Sequence, residues 1–95
     1  MILDDAAILR KDHRAIGTAP GQYWSDPNVI AWGSLGWCMR EFLAQPIGLR
    51  QSYEINMIVQ KARNAYEVDS VLSAEQIIEL ASGSDLAPYQ YEGRR

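Results

Sequence analysis

Large apolar residues gather along the chain in four stretches, and at 100° per residue each stretch places most of them on one face. The spacing predicts helices over 4–16, 27–44, 49–68 and 73–82, followed by an extended tail over 84–95. In the first, Asp4 stands as N-cap, Leu3 and Ile8 form a hydrophobic staple, and "RKDHR" lies at the negative end of the helix dipole. Its apolar face is thin, so it is expected to lie across the others or against a neighbouring chain. Breakers fill Gly17 to Pro27, after which Ser25 or Asp26 caps a helix that must stop before Pro46. On that helix Val29, Ala31, Trp32, Leu35, Cys38, Met39, Phe42 and Leu43 cover one half of the circumference. Ile55, Ile58, Val59, Ala62 and Tyr66 make the stripe of the third helix. The fourth opens with a capping box, Ser73 with Gln76, and stops at Gly83. The fold expected is all-α: one domain over 1–95, a small bundle of three to four helices.

Four large side chains do not fit these stripes. Ile30 and Trp37 sit seven residues apart on the polar side of the second helix, and Tyr53 and Met57 four apart on the polar side of the third. Trp, Tyr and Met are enriched in protein interfaces, so these four are candidate contact residues. In the tail, Tyr89 and Tyr91 alternate after Pro88 and suggest a docking strand. Gly33 and Gly36 lie inside the second predicted helix, where each weakens it by about 1 kcal/mol relative to alanine. Two glycines so placed suggest close approach by another backbone.

Composition narrows the functional classes. The 95 residues are 47% hydrophobic and 22% charged, the balance of a folded domain rather than a disordered chain. The net charge of −3 argues against a general nucleic-acid binder. That charge is unevenly distributed: residues 67–92 carry six acids and no base. Glu75 and Glu79 belong to this block and are candidate contacts for a basic partner surface. A single cysteine, Cys38, forbids an intrachain disulfide and favours a reducing, cytoplasmic setting. No apolar stretch approaches the roughly 20 residues of a membrane span.

Candidate chemistry is sparse. His13 sits between charged neighbours that do not face it on a helix, and Cys38 lies on an apolar face with no base beside it. Neither "GTAPG" nor "WGSLGW" has the form of a phosphate loop. One cysteine and one histidine far apart do not make a zinc site, and no cofactor is expected. The function expected is therefore non-enzymatic: a helical interaction subunit, structural or adaptor, in a larger assembly such as a phage particle or bacterial complex. It would bind protein, as a homo-oligomer or within a complex, through Ile30, Trp37, Tyr53, Met57, Glu75, Glu79, Tyr89 and Tyr91. The runner-up is a regulator or inhibitor that grips one protein target with its acidic C-terminal face. Nucleic-acid binding through Arg10, Lys11 and Arg14 ranks third.

Overall fold

The computed structural model describes residues 2–11, 18–20, 27–62 and 65–94. It overturns the all-α bundle. The strands are β1 (Ala6–Arg10), β2 (Thr18–Pro20), β3 (Val29–Ser34), β4 (Glu54–Ala62) and β5 (Ala65–Leu72). Among the described residues, two nine-residue helices, α1 (Leu35–Leu43) and α2 (Ala74–Ser82), and a 3-10 turn over Ile47–Ser52 complete the order. All strand pairings are antiparallel, and the sheet runs β2-β5-β4-β1-β3. Four strands carry most of the sheet, and β2 adds three residues at one edge.

Each helix that became a strand did so for a physical reason. In place of the 4–16 helix, Ala7, Ile8 and Leu9 are consecutive and wholly buried in β1. Ala7 and Leu9 point to one cluster and Ile8 to the other, the alternation of a strand covered on both faces. The remainder of that expected helix, 12–16, lies outside the described residues, as do the caps Ser25 and Asp26. The 27–44 helix divides at Ser34. Residues 29–34 are extended, Gly33 takes a φ of +138°, and Ser34 caps α1 by accepting a hydrogen bond from Trp37 N–H at 3.1 Å. The 49–68 helix is replaced by part of the 3-10 turn and the antiparallel pair β4–β5. Ile55, Ile58 and Val59 satisfy a helical period, but Tyr53, Ile55 and Met57 equally satisfy a period of two. The helix expected at 73–82 is present as α2, with both hydrogen bonds of its capping box formed.

Both helices cover one face of the sheet. Leu35, Met39 and Phe42 of α1 and Ile77 of α2 pack there on Leu9, Ala31, Ile55, Met57 and Leu72. The opposite face carries a smaller cluster, Ile8, Val29, Tyr66 and Val68, with Trp32, Ile58 and Val71 against it. Two of the three register shifts in the pairings keep these faces consistent. One lies between Leu9 and Arg10, where Ile30 is the extra residue of β3; the other lies between Met57 and Ile58, where Asp69 is the extra residue of β5. The first shift sends Ile30 to the helical side while Val29 stays with the second cluster.

Candidate functional site

After α2 the chain crosses back to the junction of β3 and α1, and its last described residues settle there. The two glycines of "WGSLGW" make this possible. A Cβ at Gly36 would come 2.5 Å from the Tyr89 ring, and one at Gly33 would come 2.6 Å from Glu92 Oε1. Gly93 supplies the backbone contact. Its carbonyl accepts from Trp32 N–H at 3.0 Å and from the Trp37 indole N–H at 2.7 Å. Arg94 adds a bridge to Ala31, so the tail extends the outer edge of β3 by a short antiparallel step.

The tail's side chains are read as closely as its backbone. The Glu92 carboxylate accepts from Ser34 N–H at 2.8 Å and from the Ser34 hydroxyl at 2.6 Å. That hydroxyl also caps α1, so one serine ends the strand, starts the helix and holds the tail. The Tyr89 hydroxyl donates to Asp4 at 2.7 Å, and the Arg40 guanidinium donates to the Tyr89 carbonyl. Tyr91 meets the Trp37 ring edge-on at 5.6 Å, and the Arg94 guanidinium lies 5.7 Å above Tyr91. A cleft of about 500 Å³ remains between tail and helix, lined by Trp37, Arg40, Glu41, Gln90, Tyr91 and Arg94.

The candidate contact residues are thus distributed unevenly. Trp37 is only 4% exposed, beneath the tail, with Tyr89 half-buried and Tyr91 65% exposed above it. Tyr53 and Met57 are buried in the main core, and Ile30 packs on its margin. Glu75 and Glu79 stand exposed on α2. Sequence reasoning missed Trp32, Ser34, Arg40 and Glu92 as contributors to the tail contact. The two glycines were the available signal: they suggested another backbone close by, and what comes close to each is a side chain of the tail.

Chemistry elsewhere is limited by burial. Cys38 is buried, its thiol donating to the Ala7 carbonyl at 3.5 Å; burial first, then the charges of Glu92 and Glu41, push its pKa up. It remains a thiol at neutral pH and is a poor nucleophile. On the second face Glu54, 2% exposed, accepts from Asn56 Nδ2 at 2.6 Å and pairs in register with Arg10. Among the described residues no group of three or more His, Cys, Asp or Glu could hold a metal ion, and no helix is long and apolar enough to cross a membrane. His13 and Arg14 lie outside the described residues. Comparison with family models, with curated proteins and with solved structures finds no match to this chain.

Proposed function

We propose that this chain is a non-enzymatic protein-interaction subunit, a small structural or adaptor component of a larger assembly. One observation carries the reading: the helical side leaves large aliphatic side chains in water. Ile47 and Leu49, in the 3-10 turn that contacts both helices, are 78% and 51% exposed. Ile78 and Leu80 of α2 are exposed as well, and so is Ile2. Leu80 is shared by two shallow clefts, one of about 310 Å³ with Ile2, Leu3 and Leu35, the other of about 340 Å³ with Leu72 and Gln76. Exposed aliphatics scattered singly are ordinary; several on one layer mark a surface suited to being covered.

The test is molar mass by light scattering over a concentration series. A defined oligomer is expected for the native chain, and a monomer for the double variant Ile47→Asp, Leu80→Asp. Both substitutions are on exposed residues, so stability in urea melts should hold to within roughly 0.5 kcal/mol. A native chain that stays monomeric throughout would sink self-assembly through this surface. The second reading would then lead, a regulator that binds one foreign protein. It is favoured by the exposed acids Asp69, Glu75, Glu79 and Asp85.

A further inference from the structure

We propose that the groove at the β3–α1 junction is an acceptor site for an extended peptide, and that its occupant in an assembly is the 89–94 segment of a second copy. This stands independently of the aliphatic surface just described. The structure shows both halves of the recognition. The groove offers two backbone N–H groups, of Trp32 and Ser34, together with the Ser34 hydroxyl, the Trp37 indole N–H and the Arg40 guanidinium. The ligand offers a carboxylate and two carbonyls at the matching places, with an aromatic ring that only a glycine at 36 admits. Such contacts select a sequence: an aromatic residue, then glutamate three positions on, then glycine. Main-chain pairing at a sheet edge with side chains read beside it is the strand-addition mode of peptide recognition.

The seated tail can leave without unfolding the sheet. Tyr91, Glu92 and Arg94 remain exposed while docked, and the buried part of the contact is confined to Gly93 on the Trp37 indole. Its hydrogen bonds through Glu92 and Tyr89 face solvent, the class of contact that opens locally at low free energy. Leaving the groove disturbs no pairing among β1, β3, β4 and β5. A second copy's tail would make every one of these contacts again, and only the connection over 83–88 would take a different path. Within one chain the tail competes at an effective concentration on the order of millimolar, so the native groove is self-occupied until that connection is strained or the tail is weakened.

The experiment uses the full chain and a fluorescein-labelled synthetic peptide of residues 84–95, followed by anisotropy. The chain carrying Glu92→Ala, whose own tail is weakened, is expected to bind the native-sequence peptide about tenfold more tightly than the native chain does. Peptides carrying Glu92→Ala or Tyr89→Ala should lose binding to both chains, and since these changes lie in the peptide, folding is not at issue. In parallel, a full chain shortened by Asp85 to Ala87, which takes about 10 Å from the connection to its own groove, should sediment as a dimer that excess peptide splits. Absence of peptide binding to either chain at millimolar concentration would overturn the acceptor site. Peptide binding with a shortened chain that stays monomeric would overturn the second copy as occupant and leave a foreign peptide in its place.

Discussion

Cys38 shows how far one residue can be read in advance. Its place among Leu35, Met39 and Phe42 on a helical face marked it as core, and all four are buried in the structure. The agreement holds because the helical period is real from residue 35 onward. Its thiol, pushed toward the protonated form by burial, should not react with a disulfide reagent at pH 8 in the native chain, and should react once per chain in denaturant. Fast native labelling would show that α1 opens. Trp37 went the other way: a wheel gave it to the polar side, yet it is buried, because the tail covers that side and a wheel knows only its own helix. Tyr89 is the titratable handle on that cover. Its phenol is pushed up to about 12, mainly by the hydrogen bond to Asp4, then by burial and the nearby charges of Asp4 and Glu92. A raised pKa means the docked state favours the protonated phenol. Docking is therefore fully supported below the free value near 10 and weakens as pH climbs through about 12. Tryptophan fluorescence should report the transition in the native chain, and Tyr89→Phe should lack that step.

Among the elements, α2 was legible and β4–β5 was not, for opposite reasons. The α2 start is written in local chemistry: Ser73 Oγ accepts from Gln76 N–H at 3.3 Å, and the Gln76 side chain accepts from Ser73 N–H at 2.9 Å. Removing this with Ser73→Ala should lower stability by about 1 kcal/mol in urea melts, with no change in the slope. A loss below a few tenths would mean the helix is held by Ile77 and Ala74 alone. β4 carries no such punctuation. Its first residues, Glu54 to Met57, are all buried, so polar and apolar positions do not alternate visibly and a helical stripe can be drawn through them. The strand reading rests on β-branched Ile55, Ile58 and Val59, and on the clean alternation of Tyr66, Glu67, Val68 and Asp69 in β5. Strand pairing is settled by residues far apart in sequence, and Ile55 gains its strand state from Leu9 and Leu72 on either side.

For the whole molecule, the sequence carried the presence of a core, the exposure of Glu75 and Glu79, and the odd status of the tail. It did not carry the sheet order or the register shifts. Tyr53 and Met57 illustrate the difference. Once 53, 55 and 57 point the same way from a strand, the supposed surface pair joins the core beneath α1 and α2. The candidate site was half visible, in the glycines and the tyrosines, because the partner of each lay some fifty residues away. One further consequence concerns the rims of the sheet. An open rim presents unpaired N–H and C=O groups to any other extended chain, a hazard for fibril growth. Here the β2 rim is three residues long and ends at Pro20, which has no N–H to offer. The β3 rim has no proline and no charge along Val29 to Ser34; its guard is the strip of backbone at Gly93 and Arg94. Whatever loosens that strip also removes the guard, so solubility on long storage should be decided by the last few residues sooner than by the core.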